Sequence, residues 1–185
     1  QNIFNLKKKN KIMLIQNKAL ELSLFLSIPA ALALIIGSEE IISALFGYGS
    51  FDEISIKNSS LALYYFAIGL PAFALIKVFS SFFFANHDTK TPFYISLISV
   101  LINILISVYY FSEVGFIIIP IATSISSWIN SIFLFLFLKK QKMFYFNEIF
   151  FIKFVKIIFA SILMGSFFNF LLNYFQIQLS FNQGV

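Results

Sequence analysis

GLPAFALIKVFSSFFFANHDTKTP, residues 69–92, joins an apolar run to a short polar loop closing on Thr91-Pro92, with one lysine, Lys77, inside the run. A lysine held in hydrocarbon costs about 2.5–3.5 kcal/mol at the centre of a membrane helix, so Lys77 needs a physical reason. It stands eight residues before Ala85, where the run ends, which is roughly 12 Å of helix. A lysine stem snorkels part of that distance. The other reading is a hydrated cavity, and Ala74, Ser80 and Ser81 support it, because three- and four-residue spacing puts them on the lysine's face. The cavity is the reading adopted.

Working outward, hydrophobic residues make up 59% of the 185 residues and charged residues 11%, a balance that excludes an ordinary soluble domain. Uncharged windows run over 22–38, 58–76, 91–112, 114–138 and 157–185. A bilayer core of ~30 Å takes about 20 apolar residues as a helix, so each window holds one span. The expected fold is an all-α polytopic membrane protein with five transmembrane helices. The segments are a basic approach over 1–18, a transmembrane region over 19–174 and a tail over 175–185. The spans are expected at about 20–38, 59–84, 92–111, 115–138 and 154–174. The first span lies too far into the chain for a signal-peptide core, and more spans follow it.

All thirteen basic residues are lysines, and they sort by loop. Lys7, Lys8, Lys9, Lys11 and Lys18 precede the first span, Lys90 follows the second, and Lys139, Lys140, Lys142, Lys153 and Lys156 lie between or just inside the fourth and fifth. The opposite loops carry Lys57 alone, beside Glu39, Glu40, Asp52, Glu53 and Glu113. Lysine accumulates on the cytoplasmic side. The N-terminus is therefore expected in the cytoplasm, 39–58 and 112–115 outside, and the tail outside. This division also argues against a nucleic-acid partner, since no soluble basic face forms despite the net charge of +5. Opening on Gln1 with an odd span count, the chain reads as a piece of a longer one.

Each span carries a feature with two explanations. Pro29 in the first removes a backbone hydrogen bond and suits a hinge, although membrane helices also tolerate proline without a functional role. Gly47 and Gly49, in LFGYGSF, suit a tight helix stop or a turn at the outward mouth of a cavity. In the 86–92 loop, Asp88 or Thr91 can cap the next helix, with Pro92 in its first turn. His87 is the lone histidine and has only Asp88 near it, too little for a metal or catalytic site. Ser96, Ser99, Asn103 and Ser107 stripe the third span. Thr123, Ser124, Ser127, Asn130 and Ser131 follow Pro120 in the fourth, and Ser161, Gly165, Asn169 and Asn173 recur in the fifth. Such stripes face protein or water, as helix-packing seams or as the lining of a hydrated pathway. In the fifth span, Phe167, Phe168 and Phe175 are expected on a flank that meets lipid or a lipid-borne chain. KKQKMFYFNEIFFIKFVK, between the fourth and fifth spans, is expected to include an interfacial helix.

No cysteine is present, so disulfides and thiolate chemistry are excluded. The nucleotide-binding GxxxxGK[ST], the zinc-site HExxH and the nucleophile-elbow GxSxG patterns do not occur. No catalytic residues, no metal and no cofactor are expected. A transporter fits better than an enzyme.

LFGYGSF and KVFSSFFFANHDTKTP, in this order and separation, resemble two elements of the MviN/MurJ lipid II flippase family, and the resemblance covers about 19–142. It implies the second lobe of a two-lobe exporter fold of the multidrug/oligosaccharidyl-lipid/polysaccharide superfamily, with this chain supplying spans nine to thirteen of fourteen. It also implies an inner-membrane protein flipping lipid II, an undecaprenyl-pyrophosphate disaccharide pentapeptide, from the cytoplasmic to the outer leaflet by alternating access. The family's cavity arginines belong to regions that this chain does not align with, so the segment is not expected to flip lipid by itself. Lys77, Ser80, Ser81, Asn103 and Asn130 are the candidates for the substrate path. Pro29, Gly47, Gly49, Asp88, Thr91 and Pro92 are the candidates for conformational and loop roles. Gly165, Phe168 and Asn169 are the candidates for one wall of a lipid-tail groove. The expected partners are the polyprenyl-linked substrate, membrane lipids and envelope-assembly proteins. An exporter of another lipid-linked oligosaccharide or a drug, and a non-transporting membrane scaffold, are the alternatives.

Overall fold

A computed structural model describes residues 2–49 and 52–182, with side chains over 10–49, 52–147 and 149–175. Ser50 and Phe51 of the LFGYGSF element, the side chains of Lys7, Lys8 and Lys9, and the end of the tail therefore lie outside the described residues. The helices are α1 (Asn2–Ile36), α2 (Ser38–Phe46), α3 (Glu53–Ala85), α4 (Lys90–Val114), α5 (Ile118–Lys140) and α6 (Glu148–Asn182). Helix α1 continues unbroken through the basic approach and Pro29, and α3 through Pro71.

Among the described residues, four stretches are long and apolar enough to cross a membrane: Asn10–Ile36, Glu53–Ala85, Lys90–Lys140 and Ile149–Phe175. The third, of 51 residues, contains two helices. At Gly115 the backbone turns to φ +74°, and a 3-10 turn, Gly115–Ile117, leads into α5. Asn103 of α4 then donates to Thr123 of α5 at 3.0 Å, closing an antiparallel hairpin. Five membrane-crossing helices result, as the uncharged windows implied.

The helices pack in the order α4, α5, α3, α1, α6, and α2 leans on α3. The centre of this layer is held by small residues. Ala67, Gly69 and Ala72 of α3 and Ala122 and Ser124 of α5 are buried. The Ser124 hydroxyl donates to the Tyr65 carbonyl, and Trp128 Nε1 donates to the Ile68 carbonyl at 3.1 Å. Close helix approach of this kind is the main source of packing energy where water supplies no hydrophobic drive.

Large side chains gather instead at the lysine-rich end. Leu20 and Leu24 of α1, Phe79, Phe82 and Phe83 of α3, Ile95 of α4, Leu134 and Leu138 of α5, Phe144 and Phe150 form one buried cluster. Phe82 and Phe144 stack with ring centres 5.9 Å apart and planes 8° apart. The ends of α3 and α5 are built alike here. His87 (φ 59°) and Lys142 (φ 55°) are left-handed, and the next residues, Asp88 and Met143, donate their N–H to Phe83 and Leu138 at 3.0 Å each. Both helices thus end in the six-to-one bond that consumes orphan carbonyls, with a side chain where glycine is usual.

The expected interfacial helix between the fourth and fifth spans is absent. Residues 141–147 form an irregular loop, and α6 starts at Glu148 as part of one long helix. Gln16 and Asn17 explain the difference. They are buried at 8% and 6% exposure. Gln16 Nε2 donates to the Met143 carbonyl at 3.0 Å, Asn17 Nδ2 donates to the Tyr145 carbonyl at 2.9 Å, and Asn17 Oδ1 accepts from the Asn147 N–H at 3.1 Å. Backbone groups supplied with partners from α1 need no helix of their own.

Candidate functional site

Lys77 lies exposed in a groove of about 460 Å³ between α1 and α3. Its α1 wall presents Ser23, Leu26, Ser27 and Ala30, and its α3 wall Leu70, Phe73, Ala74, Lys77 and Val78. Ser27 is 7% exposed, and its hydroxyl has no hydrogen-bond partner. The polar company of Lys77 therefore comes from the neighbouring helix. Ser81 instead donates to the Lys77 backbone carbonyl at 2.8 Å, and Ser80 is half-buried and outside this lining. Both share the lysine's face of α3 but neither lines this groove.

Asn103 and Asn130 meet in a different groove, of about 340 Å³, along the α4–α5 seam. Asn103 Nδ2 reaches Thr123 and, at 3.3 Å, Ser126, while its Oδ1 accepts from Ser107 at 3.4 Å. Asn130 Nδ2 reaches Ser96 at 3.4 Å, and its buried Oδ1 has no partner. The polar stripes of the third and fourth spans are thus one seam, with hydrogen-bonding capacity left over for water or a polar solute. The five path candidates divide between the two grooves and the far end of α3.

In the 86–92 loop, Asp88 is the cap. Its Oδ1 accepts from the Thr91 N–H at 3.0 Å and its Oδ2 from the Thr91 hydroxyl at 2.6 Å, while Pro92 is buried in the first turn of α4. The Thr91 hydroxyl first, and its N–H second, hold the Asp88 carboxyl below its ordinary value. At the other end of α3, Asp52 accepts from the Ser55 N–H at 2.9 Å and is lowered in the same way. Gly47 ends α2, its N–H donating to the Ser43 carbonyl at 2.8 Å. A Cβ there would clash with that carbonyl oxygen, so the stop requires glycine. Gly49 is left-handed at φ +72°.

On the α1–α6 seam, Ser161 and Gly165 are buried, and a Cβ on Gly165 would stand 3.0 Å from Ile36 Cδ1. Phe168 departs from its expected place on the lipid flank. Its ring turns toward α1, where a Cβ on Gly37 would meet it at 2.9 Å. Asn169 is exposed and lines a groove of about 400 Å³ with Leu32, Ile36 and Ser166. A four-residue repeat drifts ~40° per step, so the buried face passes from Ser161 and Gly165 to Phe168, away from Asn169 and Asn173.

Among the described residues, no group of three His, Cys, Asp or Glu side chains comes together to hold a metal. The arrangement offers one cation, several hydroxyls and two amides beside apolar walls, which suits holding and passing a polar group.

Residues 3–183 match a family model described as lipid II flippase MurJ. A probable lipid II flippase MurJ of Rickettsia prowazekii is 39% identical over 127 residues, covering 69% of this chain and 25% of that protein. Its counterpart from Thermotoga maritima is 37% identical over 144 residues, covering 78% of this chain and 29% of that protein. A solved structure of a lipid II flippase MurJ in an inward closed conformation matches with a TM-score of 0.68 and 25% identity, over 92% of this chain and 41% of that one. The chain spans about a quarter of the length of the curated relatives it matches. With nearly the whole sequence inside the family match and five helices packed as in a solved member, this chain belongs to the lipid II flippase MurJ family.

Proposed function

We propose that this chain works within an inner-membrane flippase that moves lipid II from the cytoplasmic to the outer leaflet by alternating access. The observation that carries this reading is the Lys77 groove, where a cation and the unpartnered Ser27 hydroxyl face a common space. A pyrophosphate-bearing lipid crossing a low-dielectric layer needs such groups to replace part of its hydration. Transport breaks no bond, so the role is that of a carrier and not an enzyme. The Asn103–Asn130 seam serves as a second hydrated surface. Gly165, Phe168 and Asn169, on the α1–α6 seam, border the path of the polyprenyl tail, and Pro29, beside the Lys77 groove, lets α1 flex. The N-terminus lies in the cytoplasm, following the lysine distribution.

In the complete protein, Lys77→Leu is expected to insert at normal abundance and to lose complementation of a flippase-deficient strain. Full complementation would assign the lysine to snorkelling. Disappearance of the protein would make it structural. Single cysteines at Ser55 and Ser112 are expected to label from outside intact cells and one at Asn86 is not. The reverse pattern would sink the topology.

A further inference from the structure

The α1–α6 seam opens at the lysine-rich end into a groove of about 400 Å³ lined by Lys18, Glu21, Leu22, Phe25, Lys153, Lys156 and Ile157. Lys153 Nζ bonds Glu21 Oε2 at 2.8 Å as an ion pair. Three lysines against one glutamate leave a formal surplus of two positive charges, and Lys18 and Lys156 carry it.

The level of these charges matters most. Glu21 is the last charge on α1 before the uncharged window 22–38, and Lys156 is the last on α6 before 157–185. On both helices the charged residues therefore sit where chain chemistry changes from polar to hydrocarbon, at the depth of lipid phosphates. Below them Leu22 and Phe25 remain exposed at 58% and 55%, offering an apolar floor that a soluble anion would not use. Lysines concentrated at one interface attract anionic lipid, and basic pockets between helices hold lipid headgroups. Lys139 and Lys140, at the end of α5, share the basic interface but do not line this groove.

We infer that the Lys18–Lys153–Lys156 groove binds the phosphate of an anionic phospholipid, its acyl chain lying against Leu22 and Phe25. Glu21 sets the strength of the site by occupying Lys153. Removing Glu21 therefore frees a third lysine and strengthens binding, whereas a purely structural ion pair would weaken the fold when broken. The proposal stands apart from the transport reading, because it concerns a bulk membrane lipid held on the outside of the α1–α6 pair.

The test uses the complete protein in phosphatidylcholine vesicles carrying spin-labelled phosphatidylglycerol, with the motionally restricted fraction as the readout. Lys18→Gln with Lys156→Gln is expected to reduce selectivity for phosphatidylglycerol by roughly fivefold for each lysine removed. The Lys139→Gln, Lys140→Gln pair is expected to leave it unchanged, and Glu21→Gln to raise it. Equal losses from both lysine pairs would reduce the cluster to a topology signal and overturn the site. So would a fall or no change with Glu21→Gln, which also decides the matter if the double variant fails to insert. Displacement of the labelled lipid by millimolar inorganic phosphate would assign the groove to a free anion and overturn the lipid.

Discussion

A Cβ added to Gly69 would stand 3.1 Å from the Cα of Ser124, so α3 and α5 touch almost backbone to backbone. The Cα of Ser124 cannot swing aside, as a side-chain tip can. Gly69→Ala is therefore expected to lower stability by about 1–3 kcal/mol, the usual range for overpacking. Gly165→Ala meets only the Cδ1 end of Ile36, at 3.0 Å, and is expected to cost less. Thermal unfolding in detergent ranks the two, and a larger loss at Gly165 would contradict this assignment of the tight crossing.

His87 holds φ 59° at the end of α3. A left-handed residue with a Cβ costs roughly 1–2 kcal/mol, less for polar types that tolerate the region. His87→Gly removes that strain while keeping the six-to-one bond from Asp88 to Phe83. The expected outcome is a small rise in melting temperature, equivalent to at most about 1 kcal/mol once the entropy that glycine adds to the unfolded chain is subtracted. A fall would show that the imidazole makes a contact stronger than the strain.

Asp88 gives the protein an acid-sensitive joint. Its folded-state carboxyl lies below the ordinary value, so the unfolded chain takes up the proton first as pH falls. The cap's contribution is complete above the unfolded value near 3.9 and disappears as pH drops through the lower folded value. Asp88→Ala should lower the melting temperature at pH 6, as loss of a cap does. The gap between variant and parent should begin to narrow as pH falls below about 3.9. A gap that stays constant with pH would mean that the carboxylate charge is irrelevant there.

Asn17 joins α1 to the 141–147 loop through both ends of its amide. Asn17→Leu would remove both hydrogen bonds, at a cost of about 0.5–1.5 kcal/mol each. Hydrogen exchange over 143–147 should accelerate well before that of α3. Unchanged protection would show that the aromatic cluster alone holds the loop.

The five helices were legible because lysine and glutamate punctuate the sequence at membrane-spanning intervals. Lys77 announced a groove, but not its other wall. Ser23 and Ser27 belong to a different helix, and no local spacing pairs α1 with α3. Gln16 and Asn17 escaped notice because amides in a lysine-rich run look solvated, and their carbonyl partners carry no mark in a sequence. Phe168 was misplaced for a geometric reason. Reading every fourth residue follows a line that winds around the helix, whereas the contact face alternates steps of three and four.

The bundle has a rough end and a smooth one. Phe79, Phe82, Phe83, Phe144 and Phe150 interlock like gear teeth beside the loop that Asn17 ties down, and sliding there would require several rings to disengage together. Past the middle, α3 and α5 meet through alanine, serine and glycine, where a slide has only the Ser124–Tyr65 and Trp128–Ile68 hydrogen bonds to exchange. Rocking that pivots at the interlocked end would disengage the fewest rings. Over a lever of about 30 Å, the hydrocarbon thickness, a tilt of about 10° carries the opposite end sideways by about 5 Å, nearly a helix radius.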